Sequence, residues 1–110
     1  MVKVETIKSS KDFQNAKNGL FLRSKSFLLQ AIENNNNGLV KVGYTVSKQN
    51  GNAVNRNRIK RRLRSVAKTL FRQHGTKDWN YVIIGKKNAL LLDFQSLIDE
   101  LKTAIKKIHN

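Results

Sequence analysis

The chain predicts one α+β domain, a sandwich layer in which helices pack on a central, mainly antiparallel sheet in the order α-β-β-β-α-β-α. Three observations predict it. Leu, Ile, Val and Phe supply 33 of 110 residues, enough for a core in a chain that also carries 22 Lys and Arg. The apolar residues alternate through 39–47, whereas through 51–72 and 94–108 they recur at helical spacing. No proline, internal repeat or shift of composition marks a second unit, so residues 1–110 read as a single domain.

Ser9 to Gly19 carries the punctuation of a short first helix: a Ser cap, Asp12 in the first turn and Gly19 past the end. Phe21 to Glu33 reads as one bent strand or two successive strands. Asn34 to Gly38 tolerates positive φ and suits a hairpin loop. In the next strand Val40, Val42, Tyr44 and Val46 alternate with Lys41, Gly43, Thr45 and Ser47, so one face packs while the small residues leave room for something to lie across the other. Lys48 to Asn52 is a loop, and Asn52 is the cap of the helix that follows, which is to stop at His74-Gly75. Asp78 to Gly85 is a strongly apolar central strand. Asp93 caps a last helix whose stripe is Phe94, Leu97, Ile98, Leu101, Ile105 and Ile108.

The formal net charge is +15, and no Asp or Glu occurs between Glu33 and Asp78, where 11 Lys and Arg do. That imbalance calls for a polyanion. The basic stretch lacks the Trp expected of a membrane-surface helix, and no run is long and apolar enough for a membrane span, so nucleic acid is the partner expected and a membrane is not. The N-terminal residues lack the apolar block of a signal peptide and cysteine is absent, which together read as an intracellular, reducing compartment. Side-chain catalysis is not expected. His74 and His109 fall at helix ends, and Asp99-Glu100 reads as the wet face of the last helix, so no catalytic or metal-ligating set is expected.

The charge is concentrated on the helix from Gly51 to Arg72. At about 100° per residue Ile59, Leu63, Val66, Ala67, Leu70 and Phe71 share one arc, and Asn57, Lys60, Arg61, Arg64, Lys68 and Arg72 lie on the adjoining one. Arg58 and Arg62 cover a further flank. Cations on a helix that also carries a core seam are held rigidly, and the excess of Arg suits bidentate contact with phosphates. Asn55 and Asn57, interleaved among them, can bond a base edge or a sugar hydroxyl.

Lys41-Val42-Gly43-Tyr44-Thr45-Val46-Ser47-Lys48, followed by Gly51-Asn52-Ala53-Val54-Asn55-Arg56-Asn57-Arg58-Ile59-Lys60-Arg61-Arg62-Leu63-Arg64, resembles the signature of the bacterial ribonuclease P protein component. Asp12-Phe13 and Tyr81 to Lys87 extend the resemblance over nearly the whole chain. It implies the fold of the second domain of ribosomal protein S5, with a left-handed βαβ crossover that general rules would not favour. It also implies a protein subunit of a ribonucleoprotein endoribonuclease, cytoplasmic, whose catalytic RNA removes the 5′ leader of precursor tRNA with Mg2+ held mainly by that RNA. Catalytic RNA and precursor tRNA are the partners implied; DNA is not. Carried over by position, Arg56, Asn57, Arg58, Lys60, Arg61, Arg62, Arg64 and Lys68 are to contact the catalytic RNA. Phe13, Lys17, Phe27, Thr45 and Lys48 are to contact the leader. Lys17 and Gln30 stand where the family often has aromatics, which leaves Phe27 or Phe21 as stacking substitutes. The alternative is a generic basic RNA-binding module of ribosomal or RNA-chaperone type. A self-sufficient nuclease is the third reading.

Overall fold

A five-stranded sheet separates one short helix on one face from two longer helices on the other. The computed structural model describes residues 2–110. Its elements are β1 (Val4–Thr6), α1 (Ser10–Ala16), β2 (Leu20–Arg23), β3 (Phe27–Glu33), β4 (Val40–Val46), α2 (Ala53–His74), β5 (Trp79–Gly85) and α3 (Phe94–Ile108), with 3-10 turns at Lys48–Asn50 and Lys87–Leu90. The predicted order holds, with β1 added before it. Three residues long and half exposed, β1 has too little pattern to be read from sequence.

Across the sheet the order is β1-β4-β5-β3-β2. β1 and β5 both run parallel to β4, while β3 is antiparallel to β5 and to β2. The sheet is therefore evenly mixed and not mainly antiparallel. The Asn-rich segment is also no hairpin loop, because β5 inserts between β3 and β4. Asn37 (φ 54°) and Gly38 (φ 86°) do take the positive φ the composition suggested. The segment is held by Asp78, whose Oδ1 accepts the N–H groups of Gly38 and Asn36, each at 2.9 Å. Those two bonds favour the ionised carboxyl and draw its pKa below the ordinary value. Asn36 is buried and donates from Nδ2 to Asn80 Oδ1 at 2.8 Å, so the polar run becomes part of the interior.

The main core lies between the sheet and the pair α2 and α3. Phe27, Leu29 and Ala31 of β3, Val40, Val42 and Val46 of β4, and Tyr81 and Ile83 of β5 meet there the buried residues of α2, which are Ile59, Leu63, Val66, Ala67, Leu70 and Phe71. These six are the predicted seam. In α3 the buried set is Leu97, Leu101, Ala104, Ile105 and Ile108. Ala104 joins the predicted stripe, Ile98 packs half-buried against the same core, and only Phe94, the first residue of the helix, departs from it at 52% exposed. The second core is small: Ile7, Ala16 and Val82 are buried under α1, with Phe13, Ile32 and Ile84 around them.

α3 is anchored to the β2–β3 turn by one carboxylate. Glu100 accepts the Ser24 hydroxyl at 2.6 Å, the Ser26 N–H at 2.8 Å and the Ser26 hydroxyl at 2.9 Å. It is thus a structural acceptor, not the solvated residue its neighbour Asp99 suggested. His109, expected to be an exposed cap, is half-buried against Trp79 and Tyr81. The Tyr81 hydroxyl accepts the Thr76 N–H at 3.0 Å and lies 2.6 Å from His109 Nε2.

Candidate nucleic-acid interface

Entry into α2 depends on two residues of the quoted motif. Gly51 has φ 120°, outside the reach of most side chains, and turns the chain from the 3-10 segment. Asn52 then caps the helix, its side chain accepting the Asn55 N–H at 2.9 Å. From there the helix runs for 22 residues without an acidic side chain. Because the six apolar residues are turned into the core, Asn57, Arg58, Arg61, Arg64, Lys68 and Arg72 are exposed and Arg56 and Lys60 half-buried. The predicted cationic surface is thus assembled on one rigid element. At the far end Gly75 has φ −71° and donates to the Phe71 carbonyl at 2.9 Å. The helix thus stops where the sequence placed its end, with Gly75 in extended backbone.

Two of the predicted RNA contacts have partners inside the protein. The Arg64 guanidinium lies 5.3 Å from the centre of the Tyr44 ring. Burial pushes the Tyr44 phenol up to about 12, against the opposing pull of Arg64, so the ring remains a neutral platform. Arg62 is more committed. Its Nη2 donates to the Leu92 carbonyl, and its guanidinium lies over the Phe94 ring at 5.2 Å. Arg62 therefore joins α2 to the start of α3, a role the helical wheel could not reveal.

The opposite face of the sheet supplies a second surface. Strand alternation turns Thr45, Ile84, Leu28 and Arg23 toward α1 in one row, and Gly43, Val82, Gln30 and Phe21 in the next. α1 covers part of this face. Its Phe13 lies directly on Gly43, where an added Cβ would come within 2.6 Å of the ring. The room left by Gly43 is thus filled by Phe13 itself, while Thr45, Leu28, Gln30 and Ile84 remain half-buried beside it. Lys17 and Lys48 are exposed, one at the end of α1 and one just beyond β4.

Phe27 has to be withdrawn from this surface. It is 0% exposed in the main core, since β3 turns Phe27, Leu29 and Ala31 toward α2 and α3. Phe21, paired with Gln30 and 66% exposed, is the aromatic available on the α1 side. Arg23 was missed because its side of the sheet is fixed by the register Arg23↔Leu28, which the short β2 sequence does not reveal. Among the described residues no group of three or more His, Cys, Asp or Glu is placed to hold a metal ion.

The ribonuclease P family profile matches residues 1–109. The chain belongs to the ribonuclease P protein family. Within that family the Erythrobacter litoralis ribonuclease P protein component is 37% identical over 105 residues, which cover 96% of this chain and 86% of that one. The Ruegeria pomeroyi component is 44% identical over 71 residues, covering 64% of this chain and 57% of that one. The Staphylococcus aureus RNase P protein superposes with a TM-score of 0.73 at 28% identity, over 96% of this chain and 97% of that one. The Thermotoga maritima RNase P protein shares the fold, with a TM-score of 0.76 at 24% identity over 96% and 98% of the two chains.

Proposed function

We propose that this chain is the protein subunit of a cytoplasmic ribonuclease P, docking on the catalytic RNA through α2 and holding the 5′ leader of precursor tRNA across the open sheet face beside α1. The observation that carries the reading is the acid-free cationic surface of α2, held rigid by its own core seam. A rigid array of Arg and Lys meets phosphates without first being ordered, and each contact releases counterions. Arg56, Asn57, Arg58, Lys60, Arg61, Arg64 and Lys68 make the RNA contacts. Arg62 contributes chiefly by holding α3 in place.

On the other face, Phe13 and Phe21 offer rings for stacking, Thr45 and Gln30 offer hydrogen bonds, and Arg23, Lys17 and Lys48 offer charge. Such a mixture suits a single strand, whose bases are free to stack and whose backbone is anionic. Binding substrate and catalytic RNA together converts an encounter into a positioned reaction. The magnesium of the reaction belongs with the RNA, which carries the chemistry.

The test is reconstitution. Added to a bacterial ribonuclease P RNA at low magnesium, the protein should restore 5′ cleavage of precursor tRNA and bind precursor more tightly than mature tRNA. No rescue, together with equal affinity for any structured RNA, would return the chain to a general RNA-binding module. Magnesium-dependent cleavage by protein free of RNA would instead place the chemistry in the protein.

A further inference from the structure

We propose that the groove between α2 and the start of α3 is a pocket for an unpaired nucleobase of the RNA bound by α2; the proposal rests on that docking role. The groove holds a cavity of about 520 Å³ lined by Arg58, Arg61, Arg62, Ser65, Leu90 and Phe94. That volume is within the range of small-ligand pockets, about 300–1,000 Å³. It continues into a hollow of about 410 Å³ that shares Ser65 and Phe94 with it and has Val66, Leu70 and Ile98 on its walls. The groove is thus cationic at one end and apolar at the other, and no acidic residue lines either part.

Its occupant follows from three properties. Phe94 presents an aromatic ring that is half in water, with Leu91 80% exposed close by in sequence. The Arg62 guanidinium lies over that ring and donates to the Leu92 carbonyl, so the ring and a cation stand together at the groove. Arg58 and Arg61 stand at the same cavity with charge to spare. A paired duplex would satisfy the arginines and leave Phe94 in water, since its bases are stacked inside. An apolar peptide would cover Phe94 and bury arginines without partners. An unpaired nucleotide uses both ends, its base against the Phe94–Arg62 pair and its phosphate on Arg58 and Arg61.

The experiment titrates the full chain with a bacterial ribonuclease P RNA over a range of salt concentrations. Phe94→Ala should weaken binding by about 5- to 150-fold, which corresponds to about 1–3 kcal/mol per stacked base. The log-log salt slope should stay unchanged because no phosphate contact is lost. Phe94→Leu, which keeps apolar bulk and covers Arg62, should show the same loss, and Phe94→Trp should bind as the original does. Thermal unfolding checks that each variant is folded, and should the Ala variant prove unfolded, the Leu variant decides. Leu binding as well as Phe, or a loss accompanied by a smaller slope, overturns the base pocket; the second result would mean displaced arginine contacts. Arg64→Ala, which lies over Tyr44 away from the groove, separates the two levels. If it lowers affinity and slope while Phe94→Leu does neither, the pocket alone fails. If Arg64→Ala also changes nothing, RNA docking by α2 fails with it.

Discussion

Arg61 and Arg62 are neighbours in α2 with different surroundings. Arg61 is exposed, whereas Arg62 donates to the Leu92 carbonyl and lies over Phe94. Arg61→Ala should therefore leave stability within about 0.5 kcal/mol and lower the salt slope of RNA binding by roughly 0.7–0.9. Arg62→Ala should cost about 1.5 kcal/mol of stability, at the low end for a charged hydrogen bond, because the Nε–H of Arg62 is already buried without a partner. Denaturant titration beside RNA titration separates the pair. Gly43 is the other decisive position. An added methyl would stand 2.6 and 2.7 Å from two ring atoms of Phe13, so the ring must move. Gly43→Ala should destabilise by about 1–3 kcal/mol and reduce the preference for precursor over mature tRNA. Equal stability and an unchanged preference would show that Phe13 does not depend on that seat. The cations of α2 were legible as residues, from identity and spacing alone. That Arg62 serves α3 was not, because its partners lie 30 and 32 positions later in the chain.

The elements were legible to the degree that their pattern is periodic. α2, β4, β5 and α3 each carry a full apolar stripe or alternation, and each was placed within a residue or two. β1 and β2 are too short to establish a period, and which face Phe27 adopts is set by the pairing Phe27↔Gly85. What joins one element to the next was hidden as well. Glu100 holds α3 on the β2–β3 turn through three hydrogen bonds, although in sequence it looks like any acid on a wet helix face. Glu100→Gln keeps the shape but replaces one acceptor oxygen with a donor facing serine groups. Stability should fall by about 1–3 kcal/mol, and amide exchange should quicken at Ser26 while the middle of α2 stays protected. Uniform loss of protection would mean that the clamp is not local.

For the whole molecule, acid sensitivity follows from the titrating groups. Burial lowers the pKa of His109, and His74 is lowered by burial and then by Lys106 and Lys102. A histidine whose folded pKa lies below its unfolded value of 6.5 binds more protons when unfolded. Stability then rises with pH through that window and falls as pH drops below 6.5. Asp78 acts in the same direction lower down, its support being lost as pH falls below 3.8. Unfolding midpoints measured against pH should therefore decline below 6.5. His109→Gln, with no titrating ring against Tyr81, should flatten the first part of that decline. An unchanged profile would show that His109 titrates as it does in the unfolded chain.

The sequence by itself determined the α+β class, the core seam of α2 and the concentration of cations beside it, because periodicity and charge are local properties of the chain. The same motif carried the family resemblance that the profile match bears out. Tertiary structure decided what depends on distant segments meeting. It placed β5 between β3 and β4, turned Phe27 into the core, seated Phe13 on Gly43, and joined Arg62 to the Leu92 carbonyl and the Phe94 ring at the groove. Strand register and helix packing choose which side chains are left facing outward, and no local pattern records that choice.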